Sequence, residues 1–213
     1  MMQDRILGSA LSNRIGLARL VGGCLTLMFL VGCATTRVQP PSIPAGKSMI
    51  VLEAGGVESL NFGIFDQNTG EKVVETAGLT AFVPPGVYKL VVQTDIDQSV
   101  VIDSVKIQTE LEKHIEIPVG RFIMTVSEQY TDEQGEEKTR RVRPRFTIYD
   151  YTLSRPLAKG ITTFPPKRYV LPIGDYKVSI ELPGTFEQRI IKEAKIRFGR
   201  IYPLEFRFTS RTQ

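Results

Sequence analysis

PPGVYKLVV, Pro84–Val92, and PIGDYKVSI, Pro172–Ile180, are the two stretches on which the reading of this chain turns. They align at an offset of 88 residues, each with a proline, a glycine two residues on, a tyrosine two further, and then an apolar alternation. Successive side chains of a strand point to opposite faces. Tyr88, Leu90 and Val92 therefore share a face, with Lys89 opposite, and Tyr176, Val178 and Ile180 share one, with Lys177 opposite. The glycine of each motif is expected to supply the positive φ of a tight turn.

The match extends outward from both motifs. Val105-Lys106-Ile107 pairs with Ala194-Lys195-Ile196 after one inserted residue, and Ile115-Glu116-Ile117 pairs with Leu204-Glu205-Phe206. Upstream, Gly63-Ile64-Phe65-Asp66 pairs with Thr147-Ile148-Tyr149-Asp150, each the end of a strand before a polar turn. This is a tandem duplication. From Met49 onward the chain consists of short alternating runs rich in Val, Ile, Phe and Tyr, broken by Gly, Pro and Asp, with no sustained helical period. The body is read as all-β: two tandem small β-sandwiches of seven or so strands, over residues 49–119 and 120–213.

The pattern Pro-x-Gly-x-Tyr-x-apolar-x-apolar, followed by a loop, a strand and a final strand, resembles the prealbumin-like sandwiches of bacterial envelope proteins. These include the PEGA and carboxypeptidase-regulatory-like modules. The Pro-Glu-Gly-Ala tetrapeptide that names the first of them is absent here. An immunoglobulin-like arrangement fits the same pattern, because strand order is not written in a single sequence.

The N-terminus reads as a targeting segment. Arg5, Arg14 and Arg19 precede LVGGCLTLMFLVG, Leu20–Gly32, which carries no charge; that is a signal-peptide layout. A spanning helix needs about 20 apolar residues, so this run is too short for a permanent anchor. Its end, Leu30-Val31-Gly32-Cys33, resembles the lipobox of bacterial lipoproteins. The resemblance implies cleavage after Gly32 and a covalent lipid, palmitate among its chains, on Cys33. Cys24 is a poorer site, because Arg19 leaves no room for an apolar core before it. Residues 1–32 are thus read as signal peptide and 33–48 as lipidated Cys and linker. Several acyl chains together hold a protein stably on a bilayer. Ala34, where inner-membrane lipoproteins carry Asp, implies the outer membrane, and the periplasmic face is the location expected. The linker Ala34–Ser48 contains Pro40, Pro41 and Pro44. Its 15 residues at about 3.1 Å each would hold the body up to about 45 Å from the lipid.

Removing residues 1–32 leaves 24 basic and 22 acidic side chains, a balance that does not point to nucleic acid. Without Cys24, and with Cys33 acylated, no disulfide can form, and the sandwiches must rely on apolar cores. His114 is the sole histidine; alternation puts it on one strand face with Glu112 and Glu116. Side chains two apart on a strand are separated by about 6.7 Å, wide for ligands of one ion. A solvated face and no metal are expected. No Ser-His-Asp or Cys-His set can be assembled, and no Gly-rich phosphate loop follows a strand and opens a helix. The expectation is a non-enzyme with no cofactor beyond the lipid on Cys33.

The second half contains an insertion, residues 128–145, that reads as a hairpin turning near Gln134-Gly135. On its returning strand Arg141, Arg143 and Arg145 are expected to share a face, and Pro144 suits an edge strand. Such arginines can hold phosphate or carboxylate bidentately. Alternatively, Glu128, Asp132, Glu133, Glu136 and Glu137 neutralise them, or the charges protect the edge from aggregation. The three arginines and Tyr130 are the candidate ligand or partner contacts. Ala34–Pro118 holds 6 basic and 11 acidic residues, whereas Val119–Gln213 holds 18 and 11. Opposite fields could align the two halves or stack copies head to tail. The function expected is a scaffold or adaptor that binds another envelope component, with homo-oligomerisation open. The alternative is a peptidoglycan- or polysaccharide-binding module using Tyr130 and Tyr151, against which the absence of Trp argues.

Overall fold

The computed structural model describes residues 42–109 and 111–210. The signal peptide, Leu30, Val31, Gly32, Cys33 and the first part of the linker lie outside the described residues. The first half forms β1 (Ser48–Glu53), β2 (Leu60–Asp66), β3 (Lys72–Gly78), β4 (Thr80–Val83), β5 (Gly86–Val92), β6 (Val100–Ile107) and β7 (Glu112–Glu116). The second forms β8 (Val119–Thr131), β9 (Glu137–Arg141), β10 (Arg145–Asp150), β11 (Pro156–Ile161), β12 (Arg168–Pro172), β13 (Gly174–Glu181), β14 (Arg189–Ile196) and β15 (Ile201–Thr209). The fold is all-β.

Each half faces a sheet containing its first and last strands with a four-stranded sheet. The orders are β4-β1-β7 with β3-β2-β5-β6, and β12-β8-β15 with β11-β10-β13-β14. Strand for strand these are the same topology, with β9 added on the distal half of β8. In both halves the first and last strands are parallel, β1 with β7 and β8 with β15. An immunoglobulin sandwich pairs its first strand with its second. Here the first pairs with the fourth and the last, so the immunoglobulin alternative does not describe this order.

Alternation fills the two cores. Ile50, Leu52, Phe62, Ile64, Leu90 and Ile117 are fully enclosed in the first, and Phe122, Ile148, Leu171, Phe206 and Phe208 in the second. Each such side chain contributes about 1.5–3 kcal/mol by leaving water, which is what two sandwiches with no cysteine of their own need. The repeat motif has its own lock. Tyr88 donates its hydroxyl to the Pro84 carbonyl at 2.8 Å, and Tyr176 to the Pro172 carbonyl at 3.0 Å. Both rings are buried, and burial pushes both phenols above their ordinary pKa. A buried phenol needs such a partner.

The glycines of the motif work differently from the sequence expectation. Gly86 and Gly174 are not among the positive-φ glycines. For Gly86 the requirement is space, since a Cβ there would lie 3.0–3.2 Å from the Tyr88 ring and hydroxyl; a Cβ on Gly174 would make ordinary contact with Tyr176 at 3.4–3.6 Å. The linker also ends earlier than expected. Ser48 is fully buried, opens β1 opposite Val83, and donates its hydroxyl to the Gln108 carbonyl.

The two sandwiches belong to one compact unit. The β5–β6 loop, residues 93–99, reaches the second sandwich at its edge strands β11 and β12. Asp95 N donates to Val170 O at 2.9 Å, Val170 N returns a bond to Asp95 Oδ2 at 2.8 Å, and Asp97 N donates to Leu157 O at 2.8 Å. Lys167 Nζ holds Asp95 Oδ1 at 2.6 Å. Between these bonds Ile96, 7 % exposed, enters the second core. At a separate point Gly55 packs against Gly199 so closely that a Cβ would meet the Gly199 nitrogen at 2.4 Å.

Candidate contact surfaces

The hairpin is present, but it does not carry the three arginines on one strand. β8 runs on to Thr131, Asp132–Glu136 make the turn, and β9 returns only as far as Arg141. Val142, Arg143 and Pro144 then cross to the other sheet, where β10 begins at Arg145. Pro144 has no N–H to give a ladder, and it is buried at the crossing, its carbonyl accepting from Thr162 N at 3.1 Å. Arg141 therefore sits opposite Ser127 in one sheet and Arg145 opposite Glu181 and Ile161 in the other. Arg143 lies between them, its guanidinium 5.1 Å from the Phe164 ring.

The hairpin acids engage other cations. Glu128, 6 % exposed, accepts from Arg140 Nε at 2.8 Å and from the Ser210 hydroxyl. Burial works against its charge, but the hydrogen bonds from Ser210 and Arg140 outweigh that and hold the carboxyl below its usual range. Arg140 also stacks at 4.9 Å over Tyr130. Lys138 pairs with Asp132 and, at 3.6 Å, with Glu136. Among the described residues Arg141, Arg143 and Arg145 have no ion-pair partner. The expectation that acids of the hairpin neutralise those three is thus corrected: Glu128, Asp132 and Glu136 pair with Arg140 and Lys138, and none of the hairpin acids pairs with the three arginines among the described residues. Tyr130 and the three arginines are not gathered into one site.

His114 is exposed on the outer face of β7. Its Nδ1 lies 2.9 Å from Glu53 of the parallel neighbour β1 and its Nε2 2.9 Å from Glu112. Among the described residues no three His, Cys, Asp or Glu side chains come together as a metal site.

A feature not found in the sequence reading lies on the outer face of β11-β10-β13-β14. There Arg145, Thr147, Tyr149, Lys159, Ser179 and Glu181 line an open groove of about 520 Å³. Ser179 Oγ accepts from Arg189 Nε at 2.8 Å, which holds that side chain beside a residue that lines the groove. On the equivalent face of the first sandwich a groove of about 360 Å³ is lined by Phe65, Asp66, Lys89, Val91 and Asp103 among others. The signal that would have found this contrast is the duplication itself, read across strands rather than along them.

No family model matches this chain, and no curated protein matches it. Solved structures with partial likeness include the minor pilin GBS52 of Streptococcus agalactiae, at 10 % identity and a TM-score of 0.36, over 79 % of this chain and 98 % of that one. The Bacillus anthracis TIE protein aligns at 17 % identity and a TM-score of 0.36, over 78 % of this chain and 34 % of its own. A C-terminally truncated tip fimbrial protein of Porphyromonas gingivalis aligns at 10 % identity and a TM-score of 0.29, over 71 % and 81 %. Identities and scores this low do not assign a family.

Proposed function

We propose that this protein is a lipid-anchored, non-catalytic component of the bacterial envelope, tethered through Cys33 to the periplasmic face of the outer membrane, that acts as a scaffold or adaptor. The observation that carries the reading is the order of parts. A lipobox-like Leu30-Val31-Gly32-Cys33 is followed by a proline-rich spacer and then by two sandwiches latched through Asp95 and Ile96. A latched pair presents its outward faces in fixed relation to each other, as a scaffold requires, and unpaired cations on the second sandwich offer contacts to an acidic partner. Arg141, Arg143 and Arg145 are three of these, acting from two sheets and the crossing between them.

Two experiments test the reading. Metabolic palmitate labelling of wild type and Cys33→Ala should show label in the first and none in the second; label retained in the variant overturns the anchor. Affinity purification from detergent extracts should recover an envelope protein with wild type and lose most of it when Arg141, Arg143 and Arg145 are all changed to Glu. Recovery of polysaccharide without any protein overturns the adaptor role in favour of a glycan-binding module. Unchanged recovery with the triple variant removes the arginines from the contact.

A further inference from the structure

We propose that the outer face of sheet β11-β10-β13-β14 is a binding site for a saccharide bearing an oxyanion, phosphate or carboxylate, held by Arg145, Lys159 and Arg189. The duplication supplies the argument, because the first sandwich shows what the scaffold requires at the same positions. Register equates Thr147, between Lys159 and Ser179, with Gly63, between Glu75 and Val91. It likewise equates Arg145 with Asn61 and Tyr149 with Phe65. The first sandwich folds with glycine, valine, phenylalanine, asparagine and a glutamate there. The second replaces every one of them with a hydrogen-bond donor, and turns the acid into a cation.

Apart from Ser179, which is buried and accepts from Arg189, those replacements make no side-chain hydrogen bond or ion pair among the described residues. Arg145 and Lys159 have no ion-pair partner among the described residues and line an open groove. Arg189 is different: Ser179 accepts from its Nε at 2.8 Å, and Glu181 forms a longer ion pair with it at 3.7 Å. Three cations with hydroxyls of Thr147 and Tyr149 beside them fit an oxyanion. The carboxylate of Glu181 on the same groove decides the class of ligand. A bare anion gains nothing from an acceptor, whereas a sugar hydroxyl donates to one.

The test uses the full chain in detergent micelles, titrated with glucose 6-phosphate, glucuronate, glucose and inorganic phosphate at constant ionic strength, read by calorimetry or chemical-shift change. The two sugar anions should bind saturably and at least about tenfold tighter than glucose or inorganic phosphate. Arg145→Glu with Lys159→Glu should abolish that binding, and the gentler Arg145→Gln with Lys159→Gln should weaken it about tenfold. The equal charge reversal Lys106→Glu with Arg200→Glu, away from the groove, should leave it unchanged. Vesicles of phosphatidylglycerol in phosphatidylcholine separate a lipid headgroup from a free saccharide. Binding of vesicles without binding of either sugar anion overturns the assignment. So does equal loss in the control variant, inorganic phosphate binding as tightly as the sugar anions, or the groove engaging only a second copy of the chain. The four substituted side chains are exposed, and a thermal melt matching wild type verifies that each variant is folded. None of these outcomes depends on the lipid anchor.

Discussion

The β5–β6 loop of residues 93–99 and the β13–β14 loop of residues 182–188 have the same length and the same place in their repeats. The first leaves its own sandwich and buries Ile96 in the neighbour's core. The second folds back: the Thr185 hydroxyl donates to Leu182 O at 2.8 Å, Phe186 N donates to Thr209 O at 2.9 Å, and the Phe186 ring is 60 % exposed. Duplicated strands must keep their inward residues because the core demands them. A loop answers only to whatever surface lies next to it.

The largest effect that can break this comparison is on the latch. Ile96→Ala is expected to cost about 2 kcal/mol, within the usual range for a buried isoleucine, whereas Phe186→Ala should stay within about 0.5 kcal/mol. Urea unfolding midpoints measure both, and equal costs would mean that Ile96 is not a core residue of the second sandwich. A middle-sized effect should be shared by the repeats. Tyr88→Phe and Tyr176→Phe each remove one buried hydrogen bond and should each cost about 1 kcal/mol. A clear inequality would show that the lock matters in only one half.

The smallest effect concerns the β2–β3 and β10–β11 turns and is read by pH. Asp66 Oδ1 accepts from Asn68 N at 2.8 Å and Thr69 N at 2.9 Å; Asp150 Oδ1 accepts from Ser154 N at 2.8 Å and Arg155 N at 3.2 Å. The backbone bond from Thr69 chiefly lowers the Asp66 pKa, and the Ser154 side-chain bond chiefly lowers that of Asp150, both from an ordinary 3.8. The unfolded chain then takes up protons at the ordinary value and the folded chain only at a lower one. The stabilisation is complete above the ordinary value and is lost as pH falls through the lower one. Melting temperatures below about pH 4 should accordingly fall less steeply in Asp66→Asn and Asp150→Asn than in wild type. Parallel curves for all three would remove the turns from the acid response.

Much of this fold could be read along the chain. Tyr88, Leu90 and Val92, like Tyr176, Val178 and Ile180, are buried as alternation predicted, although Ser179 on the opposite face of β13 is buried as well. The arginine row failed for a specific reason: residues two apart share a face only while the chain stays in one ladder, and Val142–Pro144 changes sheets. The groove escaped notice because its walls come from three strands, and Ser179 and Lys159 are brought to Thr147 only by pairing.

By itself the sequence determined that this chain is built of strands, that it repeats, and which side of the two motif strands packs inward. Those are local consequences of a two-residue period in which one face must leave water. Tertiary structure alone decided that the first and last strands of each half lie parallel, that Ile96 belongs to its neighbour's core, and that cations distant in sequence border one groove. Each of these is a pairing between segments far apart along the chain. Such a pairing is chosen by which edges and surfaces can meet once the loops close, a choice that no short stretch of residues contains.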